Sequence, residues 1–284
     1  PSITNDTTPD ITGTAEAGST VKLYKNESTS ESITKIGDDI YGGTDERLPS
    51  SISISDDGSI VAFGSYRSYD NGQYSGTVLI YRKNNNTLEL IGEIDGDTAR
   101  DLAGFSVSLS ADGTIIAFGA HGVDNDNGND SGHTRIYQYV DDNSWTQLGS
   151  DIDGEAANDY SGYSVSLSDD GTIVAIGAFG NDDNGNDSGH TRIYQYANDS
   201  WSQLGSDIDG EAAGDRSGYS VSLSEDGTIV AIGAYLNDND NGDDSGHTRI
   251  YQYASGSDSW SQLGSDIDGE AAGDNSGVSV SLSD

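Results

Sequence analysis

Apolar and polar residues follow a short-period pattern that recurs along the chain. The segment YSVSLS (163–168) alternates serines with apolar residues, the period of two that is typical of a β-strand with one buried face. TIVAIGA (172–178) is almost continuously apolar, as in a strand that is covered on both faces. HTRIYQY (190–196) alternates again, and SWSQLGSDI (200–208) supplies a fourth segment. The pattern therefore predicts a unit of four short strands and no helix.

This four-strand unit is repeated. The ten residues DSGHTRIYQY occur at 130–139, 187–196 and 244–253, with both spacings equal to 57 residues. One isoleucine marks an equivalent position in each unit, and these positions lie 54 to 59 residues apart: Ile40, Ile94, Ile152, Ile208 and Ile267. Four strands per repeat of this length are typical of a β-propeller blade. We expect an all-β propeller of four-stranded blades with a period of about 57 residues; a stacked β-solenoid, whose rungs are usually shorter, is the alternative.

The repeats also predict the boundaries of the propeller. Residues 19–284 form it, with a partial blade at 19–40, four repeats over about 41–267 and the first strand of a further blade at 276–284. Residues 1–18 are then a linker or the remnant of another module. If the strand at 276–284 pairs with the N-terminal strands around Val21–Tyr24, within the chain or in a neighbouring molecule, the ring has five blades.

Composition narrows the possible partners. The chain has no cysteine, so it contains neither disulfides nor thiolate metal sites. No apolar run approaches the roughly 18 residues that a membrane helix needs, and we expect no membrane insertion. Against 12 basic residues stand 49 acidic ones, a net charge of −37, which argues against nucleic acid and anionic membranes as partners.

The repeated motifs resemble a known family. SGYSVSLSDDGTIVAIGA followed by SGHTRIYQY resembles the FG-GAP repeats of integrin-α-type propellers, and the likeness covers about 33–284. The pattern W-x-QLG-x-DIDGEAAGD-x-SG is similar to tandem repeats of large secreted surface proteins of marine bacteria. The N-terminal stretch 4–24 resembles the opening of a bacterial Ig-like adhesin module. These resemblances imply a secreted or cell-surface protein. The calcium loop of integrin FG-GAP blades has no counterpart here, because SDDG (168–171) is too short to surround a cation.

Acidic residues concentrate where the topology predicts one face. In an up-and-down blade, the loop between the second and third strands and the link to the next blade emerge on the same side. In the unit 151–206, seven of ten acidic residues fall in those two segments. Loops such as NDDNGNDSG (181–189) offer dense Asp and Asn oxygen around a Gly turn, which suits a hard cation such as Ca²⁺, although Asx-rich turns also occur simply as turns. The candidate Ca²⁺ ligands are Asp124, Asp126, Asp182, Asp183, Asp238 and Asp240.

Repetition also shaped the functional expectation. His133, His190 and His247 occupy one strand position in three units, as do Arg135, Arg192 and Arg249, and only His121 is unrepeated. A repeated His or Arg beside Tyr indicates packing on the blade face, or an ion pair between blades with an acidic loop. Since catalytic centres are single constellations, we expect no enzyme. The leading hypothesis is a non-catalytic extracellular adhesion or surface-matrix module. It would contact other surface or matrix proteins, or self-associate through its terminal strands. The alternative is a lectin-like propeller that binds glycans at one site per blade.

Overall fold

The fold is all-β over the part of the chain that the structure describes. The computed structural model describes residues 24–26, 33–40, 50–141 and 143–283. Within these ranges there is no helix. After a two-stranded sheet near the N-terminus, four larger antiparallel sheets follow one another along the chain. In each sheet the strands lie side by side in the order in which they occur in the sequence. We call these sheets blades 1 to 4, and they confirm the predicted propeller blades.

The strands of each blade, from the first to the fourth, have the following bounds. Blade 1 contains Ser51–Ile54, Ile60–Ser65, Thr77–Asn84 and Thr87–Asp95. Blade 2 contains Ser106–Leu109, Ile115–Ala120, His133–Tyr139 and Trp145–Gln147. Blade 3 contains Ser164–Leu167, Ile173–Ala178, His190–Ala197 and Ser200–Gln203. Blade 4 contains Ser217–Leu223, Ile229–Ala234, His247–Ala254 and Ser259–Gln262. In blades 2 to 4 a two-residue strand continues the fourth strand after a break and pairs with the third: Ile152–Asp153, Ile208–Asp209 and Ile267–Asp268.

The hydrophobic core lies between neighbouring blades. The second strand of blade 3, Ile173–Ala178, is buried at all six positions. Its Val174 and Ile176 pack in a cluster with residues of blade 2. Ile173 and Ala175 belong instead to a cluster with residues of blade 4. A strand covered on both faces needs apolar side chains on both, which explains the continuous apolar run in its sequence.

The first strands approach each other closely, and their serines join the blades. The backbone N–H of Leu167 donates to Ser108 Oγ of the preceding blade at 2.9 Å. The N–H of Leu223 donates to Ser166 Oγ in the same way at 3.0 Å. Short hydroxyl side chains thus replace the backbone ladder where successive blades meet.

Tryptophans join the blades at the outer rim. The indole Nε1–H of Trp201 donates to the carbonyl of Leu148 in the preceding blade at 2.7 Å. Trp145 and Trp260 make the equivalent bonds at 3.0 and 2.8 Å. Each indole is half-buried on the fourth strand. These tryptophans therefore serve packing between blades.

The two ends of the propeller show different parts of further blades. Near the N-terminus, Tyr24–Asn26 pairs with Ile33–Lys35, in the register that the third and fourth strands have in blade 2. Near the C-terminus, the Leu282 N–H donates to Ser222 Oγ at 3.1 Å, repeating the contact between first strands. The proposed module at 1–18 and most of the closing segment Val21–Tyr24 lie outside the described residues. Closure of a five-bladed ring stays a prediction.

The sequence predicts no membrane insertion. In the described ranges, no helix is long and apolar enough to cross a bilayer.

Candidate metal centre on the acidic face

Loops and linkers meet on one side of the propeller. In each blade, the loop before the third strand forms a parallel bridge with the linker that leads into the next first strand. In blade 2 this bridge joins Gly132 to Ser161, and in blade 3 it joins Gly189 to Ser217, where the first strand of blade 4 begins. We call this side the acidic face; it comprises the loops between second and third strands and the linkers between blades. Its Asp and Glu side chains are therefore held within reach of one another.

Much of the polar chemistry of these loops closes the loops themselves. Asp182 Oδ1 accepts the backbone N–H of Asp187 at 2.8 Å, and Asp124 and Asp238 accept the equivalent N–H at 2.9 and 2.8 Å. Asn184 Nδ2 donates to the carbonyl of Gly210 in the following linker at 2.8 Å. Such Asx contacts stabilise turns. Three of the six predicted Ca²⁺ ligands thus each devote an oxygen to the backbone.

The remaining three predicted ligands are equivalent in sequence but not in surroundings. Asp126, Asp183 and Asp240 each precede the Asn-Gly pair of their loop, and all three are exposed. Only Asp183 belongs to a group of side chains that could share a cation. The loops of blades 2 and 4 are one residue longer, and in blade 2 the extra residue Asn125 donates to Asp153 instead. One inserted residue separates Asp126 and Asp240 from the groups beside their own histidines.

The densest ligand set lies in blade 3. Glu155, Asp183, His190 and Asp207 each offer an atom, and all four atoms lie within 4.8 Å of one another. We call this set the blade-3 cluster. Ligands that stand about 2.0–2.4 Å from one cation lie between about 3 and 4.8 Å from each other. These carboxylate and imidazole groups therefore have the spacing that a bound divalent ion requires.

The histidine of this cluster lacks a hydrogen-bond partner. His190 is 0% exposed, and neither ring nitrogen has a partner among the described residues. Its Nδ1 stands 3.9 Å from Asp183 Oδ2 and 4.0 Å from Glu155 Oε2, too far for a hydrogen bond. A buried polar atom without a partner is costly, and an ion between these groups would satisfy it.

Sequence reasoning missed Glu155, His190 and Asp207 as ligands. It treated the repeated histidines as packing residues and searched for ligands within single loops. The signal was present, because each repeated histidine opens a third strand and an acidic residue is the first residue of each DID or EID motif. The two become neighbours because the third strand pairs with the segment that follows the fourth.

Similar but smaller groups occur in the other blades. The members are His133, Asp151 and Asp153 in blade 2, Glu211, His247 and Asp266 in blade 4, and Asp70, Glu93 and Asp95 in blade 1. Blade 1 has Thr77 where the others have histidine, so its group is made of oxygen ligands alone. Acidic groups that could hold a metal ion therefore recur around the face.

Arginines next to the histidines bridge successive blades. Arg192 Nη1 stands 3.3 Å from Glu155 Oε1, which belongs to the linker before blade 3. Arg135 pairs with Asp97 of the preceding linker, and Arg249 pairs with Glu211 in the same way. These are the cross-blade ion pairs that the sequence suggested for the repeated arginines.

Burial and hydrogen bonding set the charges of these groups. Burial lowers the pKa of His133, His190 and His247, so their imidazoles are neutral at pH 7. Burial also raises the pKa of Glu155, although Arg192 opposes this effect. For Asp151, burial is outweighed by hydrogen bonds from Arg135 and Gln147, which hold its pKa below the usual value. Neutral imidazoles beside carboxylates are the protonation states that metal binding needs.

Known families match part of the repeat. Residues 151–194 and 208–251 match the FG-GAP repeat family, each stretch covering a linker and the first three strands of one blade. The resemblance to FG-GAP repeats is thereby confirmed for blades 3 and 4. The finer resemblances, to surface proteins of marine bacteria and to an Ig-like start, gain no support. No curated protein matches the chain.

Solved structures share the architecture. The periplasmic gluconolactonase of Pseudomonas aeruginosa matches with a TM-score of 0.58 and 17% identity, over 89% of this chain and 65% of that one. This chain thus spans less than two thirds of that enzyme's length. A structure described as a 6-phosphogluconolactonase from Bacteroides uniformis matches at 13% identity with a TM-score of 0.45, over 84% of this chain and 79% of that one. At such identities the likeness establishes the fold.

The comparison corrects the functional expectation. The protein whose fold matches is by description an enzyme, so the argument from repeated blades to a non-catalytic adhesion or surface-matrix module is wrong. The lectin-like alternative falls with the same argument. Repetition of the scaffold leaves individual blades free to differ, and the short loop of blade 3 is such a difference. A single constellation can therefore arise on a repeated fold.

Proposed function

We propose that this chain is a propeller hydrolase that opens a cyclic sugar ester with the help of a divalent cation at the blade-3 cluster. The observation that carries the proposal is the buried imidazole of His190, without a hydrogen-bond partner, among three carboxylates. The substrate class comes from the fold relative, which is described as a gluconolactonase. The two proteins share the fold, and the proposed metal-assisted hydrolysis is inferred from the side chains of the blade-3 cluster.

The four side chains divide into two roles by their origin. Asp183, His190 and Asp207 belong to blade 3 and would hold the cation. Three protein ligands that leave one position open are typical of catalytic metal sites. Glu155 arrives from the preceding linker, where Arg192 contacts it at 3.3 Å. Its carboxylate would accept a proton from the attacking water molecule.

The reactants are water and the cyclic ester, and no further co-substrate is needed. A cation would lower the pKa of bound water and polarise the ester carbonyl. The water oxygen forms the new bond to the carbonyl carbon, and the ring C–O bond breaks. The proton that Glu155 accepts passes to the leaving alkoxide oxygen, which leaves Glu155 ionised for the next cycle. The product is an open-chain hydroxy acid.

The ligand set bears on the metal. A neutral imidazole nitrogen with carboxylates suits Zn²⁺ or Mn²⁺ better than Ca²⁺, which prefers oxygen ligands alone. We therefore propose that the blade-3 cluster binds Zn²⁺ or Mn²⁺. Ca²⁺ binding by the other predicted loop residues stays a prediction. The group at Asp70, Glu93 and Asp95, which the sequence did not single out, also offers oxygen ligands alone.

We also propose that the protein acts outside the cytoplasm. The fold relative is described as periplasmic, and FG-GAP repeats resemble those of extracellular propellers. Fractionation of cells that express the full-length protein would test this: recovery in the cytoplasm alone would contradict it.

The proposed function is tested by measuring the hydrolysis of δ-gluconolactone, with the released acid titrated in a pH-stat. Activity should disappear in EDTA and return with Mn²⁺ or Zn²⁺. Asp183→Asn should reduce activity by at least about 100-fold, since loss of groups that merely support ligands already costs 10–100-fold. Asp240→Asn makes the same change at the equivalent position of blade 4, outside any cluster, and should retain activity. Equal activity of both variants, or activity that survives chelation, would refute the proposal.

A further inference from the structure

Aromatic rings form a continuous cluster on the acidic face. Each of blades 1 to 4 places one residue on it directly after the second strand, and linkers add residues at or just before the first strand. The aromatic cluster consists of Tyr66, Phe105, His121, Tyr160, Tyr163, Phe179, Tyr219 and Tyr235. From Phe105 the chain of contacts passes to Tyr163 at 4.6 Å and to Tyr219 at 4.8 Å between ring centroids. Seven of the eight rings are only half-buried. The cluster thus presents ring faces and edges to solvent above the aliphatic core.

Some of the differences between blades 3 and 4 lie at this cluster. Residues 161–178 of blade 3 and 217–234 of blade 4 differ at one position in eighteen. The residues that flank this stretch differ on both sides: Tyr160 against Arg216, and Phe179-Gly180 against Tyr235-Leu236. These flanking residues lie in or against the cluster. Core packing fixes the interior of the repeat, whereas residues of the aromatic cluster, like the loops, differ between blades.

One variable position is also strained at each of the four places where the structure describes it. Leu102, Tyr160, Arg216 and Asn275 are equivalent, and their φ angles are +61°, +55°, +56° and +54°. Bulky side chains rarely adopt this left-handed conformation, which costs on the order of 1–3 kcal/mol. In blades 3 and 4 the strained residue contacts the same ring: Tyr160 stacks on Phe179 at 5.1 Å, and the Arg216 guanidinium lies 5.5 Å from its centroid. The strained backbone thus holds two different side chains, Tyr160 and Arg216, against the ring of Phe179.

A buried polar atom points to a ligand at the cluster. His121 takes the place that Tyr66, Phe179 and Tyr235 occupy in the other blades. It is 9% exposed, its centroid lies 4.3 Å from that of Phe105, and its Nδ1 has no hydrogen-bond partner in the described part of the chain. A hydroxyl group of a bound molecule would satisfy this atom.

The aromatic cluster is joined to the blade-3 cluster through one linker. Asp159 Oδ2 accepts the backbone N–H of Glu155 at 3.1 Å, and the next residue is Tyr160. The same six-residue segment, 155–160, therefore carries the proposed proton acceptor and a ring of the cluster.

We infer that the aromatic cluster binds the ring of a neutral cyclic polyol, with Tyr160 and Arg216 setting which ring is accepted. The inference deepens the proposed function, because such a ring is the body of a sugar lactone. Half-buried ring faces stack on the C–H face of a sugar, while Tyr hydroxyls and His121 Nδ1 meet its hydroxyls. Arg216 has no carboxylate partner among the described residues and donates through Nη1 to Tyr235 Oη at 2.9 Å, leaving further N–H donors for the ligand. The net charge of −37 disfavours an anionic ligand.

Binding of methyl β-D-glucopyranoside, which is not an ester and cannot be turned over by a lactonase, tests the inference by saturation-transfer NMR and titration. Phe179→Leu and Tyr219→Leu should each weaken binding about tenfold, the value of one aromatic contact. Tyr253→Leu removes a ring that packs on Trp260 at the outer rim and should leave binding unchanged. Tyr219→Phe keeps the ring and the fold, and binding should stay within about threefold of wild type.

Two outcomes would overturn the inference: no binding of the glycoside to the wild-type chain, or equal weakening by Tyr253→Leu and Phe179→Leu. Either could occur while metal-dependent hydrolysis is retained, in which case the ring-binding site alone fails. Conversely, binding that survives EDTA together with absent hydrolysis would support the ring-binding site and reject the proposed reaction.

Discussion

Individual residues on the acidic face owe their chemistry to burial. Three histidines open equivalent strands and are nearly inaccessible, and His121 stands alone among aromatic rings. Removing an imidazole from water disfavours its charged form. The histidines therefore act as neutral groups, available as ligands or hydrogen-bond partners.

His121 gives a prediction on stability against pH. Burial lowers its pKa to about 4, against about 6.5 in the unfolded chain. Between these values the unfolded state binds more protons, so stability falls as pH decreases from 6.5 towards 4. His121→Phe, which copies Phe179, removes this contribution and should lose about 2 kcal/mol less than wild type between pH 7.5 and pH 5. Urea unfolding at the two pH values measures this difference; equal losses in both proteins would contradict it.

Sequence reasoning reached some of these residues and missed others. The loops around Asp182 were recognised as polar turns, because composition alone reveals them. The contact of Asp183 with His190 was not, since it depends on a loop one residue shorter than its neighbours. Such contacts depend on the length of each loop, and a repeat pattern does not show the effect of a one-residue difference in length.

At the scale of elements, strands of neighbouring blades approach at glycines. A Cβ on Gly177 would lie 1.9 Å from the carbonyl oxygen of Gly218 in the next blade. The same approach recurs at Gly119 against Gly162 and at Gly233 against Gly277. The second strand therefore ends in a small residue wherever the following linker crosses it. Strand order and strand type followed from the sequence pattern, whereas this close approach required the packed blades.

Gly177→Ala should destabilise the protein by about 3 kcal/mol, because backbone atoms on both sides must move to admit a methyl group. Gly256→Ala is the matched control, since nothing lies within 4 Å of its Cβ position and its φ is not in the left-handed region. That variant should unfold within about 0.5 kcal/mol of wild type. Chemical denaturation compares the two; similar midpoints would exclude close packing between blades 3 and 4.

At the scale of the whole molecule, the net charge of −37 sets the response to ions. Carboxylates gathered on one face repel each other, and sodium chloride relieves this repulsion by screening. A cation that binds the native state adds stability by mass action, about 2.7 kcal/mol at a hundredfold excess over its dissociation constant. Screening and binding therefore predict different results at matched ionic strength.

Thermal unfolding in EDTA, in sodium chloride and in MnCl₂ of equal ionic strength separates the two effects. The melting temperature should rise by several degrees more with Mn²⁺ than with sodium, since each kcal/mol shifts it by about 2–4 °C at this chain length. Asp183→Asn should abolish the extra rise, and Asp126→Asn should preserve it. An equal rise in both salts would leave only a screened acidic surface.

The most direct test of the account locates the cation itself. Crystals of the full chain soaked in Mn²⁺ and measured at the manganese absorption edge show each bound ion as an anomalous peak. The strongest anomalous peak should lie among Asp183, His190 and Asp207, with Glu155 beside it. A map with no peak at the blade-3 cluster, while ions occupy the exposed loops around Asp126 or Asp240, would contradict it.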